Sequence, residues 1–232
     1  MYFEHAPAIW AAFPTLAPGV MLVEGVRPDA VVAARLAPLF DRARARLAGA
    51  SESDLPEVQA WRRAFSQMGL KPTQYRSAAE ALLRRFRKED SLPALHPLVD
   101  LCNAVSLAYA LPVAVIDLDR VAGGIDVRHA DGDERYEAFG GELERPEPGE
   151  VIVADAARQV HARRWTFRQS RRSTVSAATR RALVVSEGLH ATAQADVAAL
   201  LDSLEGELRA AGFAPSRLAL LTAAAPRWEA VL

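Results

Sequence analysis

The sequence predicts a mixed α+β fold, a central β-sheet core flanked by helices, and three observations carry that expectation. Short β-prone runs at 20–23, 113–116, 151–153 and 182–185 lie near turn residues. Longer segments place apolar residues at helical spacing, most clearly Val197, Leu200, Leu201, Leu204 and Leu208. The two kinds of segment interleave through the middle of the chain instead of separating into halves.

Taken in order, Val20 to Val23 form a buried strand closed by Gly25. After Pro28 and Asp29 an Ala/Leu/Arg-rich helix runs to about residue 48, with Pro38 kinking or splitting it. Residues 51–54 read as a loop. Val58, Trp61, Phe65 and Met68 share one helical face, and Gly69 stands where a C-cap belongs. Ser77 and Glu80 have capping-box spacing and open a helix whose last turns carry Arg84, Arg85, Arg87 and Lys88. Residues 98–107 form another helix, and Pro112 leads into the strand at 113–116. Gly123 and Gly124 introduce the strand at 125–128. Asp131 and Gly132 form a hairpin-turn dipeptide ahead of Tyr136 and Phe139. Strands follow at 151–153 and 182–185, and the final helix stops at Gly212.

A chain of 232 residues, 50% apolar and 25% charged, buries a substantial core in one or two domains. The division expected is an N-terminal lobe, 1–55, packed on a main domain, 56–232, as one compact unit. The net charge of −1 advertises neither a nucleic acid nor a membrane partner. The single cysteine, Cys102, excludes an internal disulfide and a multi-cysteine zinc site and suits a reducing compartment. No apolar run is long enough to span a bilayer, and the start, Met1 to His5, carries acid where a signal peptide is basic. A cytoplasmic protein is expected. There is no nucleophile elbow, phosphate-binding loop, dinucleotide fingerprint or zinc-protease motif, and His5, His96, His129, His161 and His190 are scattered. No metal and no cofactor are expected.

The informative stretch is 156–181, which holds eight arginines (Arg158, Arg163, Arg164, Arg168, Arg171, Arg172, Arg180 and Arg181) and no acid. Guanidinium groups match phosphate oxygens bidentately, and the interleaved Trp165 and Phe167 offer faces for bases. The segment just before it, 131–155, is rich in acid, so pairing with those carboxylates is the competing reading. Alternation from Arg164 to Arg168 would put Trp165 and Phe167 on one strand face, as core or as stacking platforms.

Several spaced motifs resemble one family. Pro97, Leu98, Val99, Asp100, Leu101, Cys102 and Asn103 are followed by Leu111 and Pro112, then Asp117 to Arg120. Gly123 to Arg128 and Gly149 to Asp155 continue the pattern in order. Upstream, Gly69 to Pro72 and Ser77 to Arg85, and downstream, Arg163 to Ser170, look like a free-standing version. Over roughly 58–189 the chain resembles the B3/B4 tRNA-editing domain of the phenylalanyl-tRNA synthetase β subunit. That resemblance implies a domain that receives the 3′ end of tRNA and hydrolyses the ester of a wrongly attached amino acid. Water is positioned with help from the tRNA's own hydroxyls, so no strong side-chain base is required.

The resemblance implies a catalytic group of Asn103, Gln169 and Ser170, and a substrate pocket of Gly123, Gly124, Arg128, Trp165 and Arg168. Arg158, Arg163, Arg164, Arg171 and Arg172 would hold RNA phosphates, and the partner implied is aminoacylated tRNA, not DNA. Two positions depart from the synthetase pattern. Its strand histidine matches Ala114 here, and the glutamate that reads tyrosine's hydroxyl matches Gln169, so tyrosine specificity does not carry over. A non-catalytic tRNA or amino-acid binder and a small-molecule hydrolase stay open as alternatives.

Overall fold

The computed structural model describes residues 1–231. In chain order the elements are β1 (Tyr2–His5), α1 (Pro7–Ala12), β2 (Ala17–Glu24), α2 (Ala33–Leu47), α3 (Pro56–Gln67), α4 (Ala78–Glu89) and α5 (Pro97–Tyr109). A strand-rich middle follows: β3 (Val113–Asp117), β4 (Ile125–His129), β5 (Arg135–Glu137), β6 (Leu143–Glu144), β7 (Val151–Asp155), β8 (Gln159–Arg163), β9 (Arg168–Gln169) and β10 (Arg181–Gly188). The chain closes with α6 (Ala193–Ala210), β11 (Ala214–Leu220) and β12 (Arg227–Glu229).

The strands divide between two sheets. The smaller is antiparallel with the order β11-β2-β10-β3, and the larger runs β12-β1-β4-β7-β8-β5-β6, with β9 paired to β8. Side-chain alternation explains how the smaller sheet is covered twice. In β2 and β10, Met21, Val23, Ala182 and Val184 face α5 and α6, meeting Leu101, Val105, Val197 and Leu201. Val20, Leu22, Leu183 and Val185 face the larger sheet, meeting Phe3, Ile125, Val127 and Val153. The result is three layers, helices over the small sheet over the large sheet, and the second interface positions the site.

Local chemistry sets the helix ends. Ser77 Oγ accepts from the Glu80 N–H at the start of α4, but the Glu80 carboxylate turns to Arg62, 2.6 Å away, so only half of the expected capping box forms. His96 caps α5 by accepting from Leu98 N–H through Nδ1, with Pro97 at the first helical position.

Within residues 1–55, β1 pairs with β4 and β12, and β2 sits inside the small sheet between β11 and β10. Their apolar faces complete both sheets. One expectation is overturned: Asp131 and Gly132 do not join a hairpin. β4 pairs with β7 and β5 with β8, because the N–H groups of Asp131 and Gly132 are taken by the buried Glu134 carboxylate, which turns the chain away.

Candidate functional site

β3 is the outer strand of the small sheet and pairs only with β10. Its free edge faces β9, and Gln169 Nε2 spans the gap to donate to Val115 O at 2.8 Å. Beneath this bridge, between the two sheets, lies a cavity of about 80 Å³. Its floor is buried and apolar, built from Phe3, Ile116, Val127, Val153 and Val185, with Trp165 as one wall. Half-buried residues ring its mouth: Val113 and Ala114 on β3, and Thr166, Phe167, Arg168 and Gln169 opposite. The small side chain of Ala114 leaves this space open.

Besides Arg168 and Gln169 at the mouth, three polar side chains line the chamber. Glu187 is committed: Trp165 Nε1 donates to its two oxygens at 2.9 and 3.0 Å, and His5 Nε2 lies 2.5 Å from Oε1. His161, from β8, is fully buried, and neither ring nitrogen has a hydrogen-bond partner among the described residues. Thr166 Oγ1, at the mouth, is likewise buried without a partner. Behind His161, Asp155 Oδ2 stands 3.4 Å from Nε2, an electrostatic contact longer than a well-formed hydrogen bond. Asp155 is anchored by the N–H groups of Ala122, Ala157 and Gln159 at 3.0, 3.0 and 2.9 Å. Burial pushes its pKa up, but His161 and these backbone donors outweigh burial and hold the carboxyl below its usual value. His161 was indistinguishable in the sequence from four other lone histidines. Only the meeting of two sheets brings it opposite Ala114.

The residues singled out from the sequence scatter around this chamber. Gln169 and Arg168 line the mouth. Asn103 lies outside it, in a surface groove of about 520 Å³ with His96, Phe139 and Val175, and Val113 and Gln169 belong to both spaces. Ser170 is fully buried, its Oγ donating to Glu137 O and accepting from Arg172 N–H, so it holds a turn rather than facing the chamber. Gly124 makes room for Tyr2, whose ring would collide with an added Cβ, and Gly123 adopts φ +73°. Neither glycine lines the chamber. Arg128 pairs with Glu134 at 2.5 Å. Trp165 lines the chamber, but not from a strand: Arg164 and Trp165 have φ of +48° and +59°, which turns the chain and breaks the expected alternation with Phe167. Trp165 packs edge-on against Trp61 and Phe13, while Phe167 packs on Tyr75.

The acid-free arginine run divides. Arg163 is 5% exposed, bidentate to Glu150 at 2.7 and 2.9 Å, and also bonded to Glu144. Arg158 pairs with Asp131 and Asp133. Arg164 reaches Glu150 at 3.8 Å and covers the Tyr75 ring, and Arg168 reaches Glu144 at 3.5 Å. Arg171 is only 4.0 Å from Glu137, and Arg172 forms no ion pair among the described residues. The preceding acidic stretch therefore pairs with much of the run, and Arg181 reaches Asp119, so Arg171 and Arg172 are among the least paired of its arginines.

Two groups of side chains bring ligand-type atoms together, Glu57 with His190 and Asp196, and Asp131 with Asp133 and Glu134. Arg46 pairs with Glu57 in the first, and Arg158 with all three carboxylates in the second. Neither group lines the chamber. No helix among the described residues is long and apolar enough to cross a membrane.

A family profile for the B3/4 domain matches residues 60–203, more than half of the chain. The fold is similar to an N-terminal fragment of the phenylalanyl-tRNA synthetase β subunit from Pyrococcus horikoshii, with a TM-score of 0.50 over 92% of this chain at 11% identity. This chain spans 49% of that fragment, and no curated protein matches it in sequence.

Proposed function

The chain belongs to the B3/4 domain family, and we propose that it is a tRNA-binding protein acting in trans as an aminoacyl-tRNA deacylase. The observation that carries this reading is the inter-sheet chamber, closed and apolar at its floor and open where β3 faces Gln169. An amino-acid side chain enters the floor, while the ester stays at the mouth between Ala114 and Gln169. The outer groove beside Asn103 and Phe139 receives the 3′-terminal nucleotide. Water adds to the ester carbonyl carbon, the bond to the ribose oxygen breaks, and that oxygen takes a proton as the amino acid leaves. Orienting an already activated ester supplies much of the acceleration.

A non-catalytic aminoacyl-tRNA binder is the second reading, and one observation favours it. Gln169 Nε2 and Ser170 Oγ both bond to backbone carbonyls instead of facing solvent. The experiment is hydrolysis measured on a panel of correctly and wrongly charged tRNAs. The deacylase reading expects one aminoacyl class to be released far faster than its spontaneous rate. Tight binding of charged tRNA with no release of any amino acid would establish the second reading in its place.

A further inference from the structure

Resting on the deacylase reading, we infer that the chamber admits a small hydroxyl-bearing side chain, of the serine or threonine class, and that His161 recognises its hydroxyl. Size is the first argument. An apolar cavity of about 150 Å³ holds a benzene ring, and this chamber offers about 80 Å³. A tyrosine or phenylalanine ring does not fit, because Phe3, Ile116 and Trp165 close the floor. A side chain of serine or threonine size does.

Polarity is the second argument. Burying a polar group with no partner costs about 1–3 kcal/mol, and His161 is wholly buried with both nitrogens unpartnered among the described residues. The carboxylate of Asp155 faces Nε2 at 3.4 Å and favours the proton on that nitrogen. Nδ1 is then an acceptor without a partner among the described residues, on a side chain that lines the chamber. A hydroxyl donates to it, whereas a methyl in the same place leaves it unpaired. Glu187 already accepts from Trp165 and contacts His5, whereas His161 has no such partner at either nitrogen among the described residues. The surrounding valine and isoleucine side chains suit the methyl of threonine. At the mouth, Thr166 Oγ1 can donate or accept and meets a second polar atom of the bound residue.

The test uses the whole chain and three non-hydrolysable adenosines carrying threonine, valine or tyrosine through a 3′-amide, with affinity read by calorimetry. The threonyl compound binds about 10-fold or more tightly than the valyl one, because a site built for a hydroxyl penalises its absence, and the tyrosyl compound does not bind. His161→Leu brings threonyl and valyl to parity without lowering Tm, and His161→Gln, which retains an acceptor, keeps the preference. Ala114→Leu fills the chamber and removes binding of both. Equal threonyl and valyl affinity, tyrosyl binding, an unchanged ratio in His161→Leu, or no binding at all overturns the inference. Hydrolysis of a tyrosyl or isoleucyl ester in the tRNA panel would also overturn it while leaving the deacylase reading intact. Threonyl-selective analogue binding without any hydrolysis would sustain the selectivity and remove the deacylase.

Discussion

On the helix side of the four-stranded sheet, Met21, Val23, Ala182 and Val184 pack against Leu101, Val105, Val197 and Leu201. The packing is so close that a Cβ on Gly19 would stand 2.5 Å from Leu201. On the opposite side the same strands look into a layer that also holds the buried side chains of His5, His161 and Glu187, and about 80 Å³ of open space. Unfilled volume costs stability, so an interface selected for stability alone would not keep it. A buried hydroxyl unpaired among the described residues, Ser186 Oγ, occurs on the helix side as well, so open volume is what separates the two faces. The difference is one of packing, a filled face against a face that keeps a chamber, and under the proposed function the second is the face that recognises substrate.

Changing side-chain volume on each face tests that assignment most strongly. Leu201→Ala, on the helix side, should cost about 2–5 kcal/mol, the range for deleting a buried leucine side chain into a tight surround. Ala114→Leu, at the chamber, should leave stability unchanged or raised, because it fills space already present. Urea denaturation of both variants measures this. A destabilisation by Ala114→Leu comparable to that by Leu201→Ala would mean that the chamber is as tightly packed as the core.

Buried polar groups allow a second contrast, between Glu134, whose oxygens are filled, and His161, whose nitrogens are not. Burial raises the Glu134 pKa, but Arg128 and the N–H groups of Asp131 and Gly132 outweigh it and bring it down from 4.5 to about 2. A folded-state pKa below the unfolded one means that its contribution is present above pH 4.5 and disappears as pH falls toward 2. That contribution is at most about 3 kcal/mol at neutral pH, and less where solvent screens the pair. Denaturation followed from neutral pH down to about pH 2.5 should show it, and Glu134→Gln should flatten that part of the curve. If wild type and Glu134→Gln lose stability in parallel, the carboxylate is not the group responsible.

Glu187 supplies a smaller effect on the chamber side. Glu187→Leu leaves the Trp165 indole N–H and the His5 ring unpaired in a buried site, at about 1–3 kcal/mol, whereas Glu187→Gln keeps an acceptor for Trp165 and costs less. Thermal unfolding separates the two. Equal destabilisation would show that packing, not hydrogen bonding, is what Glu187 contributes.

Much of the fold was legible because its strongest elements carry their own pattern. The leucines of α6 recur at helical spacing, and Ala182 to Val185 in β10 form an unbroken apolar run because that strand is covered on both faces. β1 and β12 were not legible: four and three residues long, they hold their places through pairing partners far away in the chain. The turn at Arg164 and Trp165 was hidden because neither residue type favours positive φ, so nothing local announces it. Of the site, Gln169 and Trp165 were reached through motif resemblance. His161 was not, since its importance depends on what stands opposite it in another sheet. Which arginines pair was hidden for a related reason: their partners, Glu144 and Glu150, belong to a stretch whose acidity was plain, but whose pairing only the β7–β8 register fixes.

The arginine run itself divides into a structural end and a free end, and the subtlest stability measurement tests that division. Arg163 is buried between Glu150 and Glu144, so Arg163→Ala should strand two carboxylates and cost more than any exposed arginine. Arg171 and Arg172 are exposed at the turn following Gln169, with one long approach to Glu137 between them. Replacing both with glutamate should move stability by no more than about 0.5 kcal/mol, the usual range for exposed positions free of special roles. The same double variant should weaken tRNA binding across every tRNA tried, because phosphate contacts carry little sequence information. For each phosphate no longer neutralised, the slope of log affinity against log salt should become shallower by about 0.7–0.9. Fluorescence anisotropy over a salt series, read beside the melting temperature, keeps the two effects apart. Unchanged affinity and slope in the double variant would place the tRNA elsewhere on the molecule, and a sharp fall in melting temperature would move Arg171 and Arg172 to the structural side of the division.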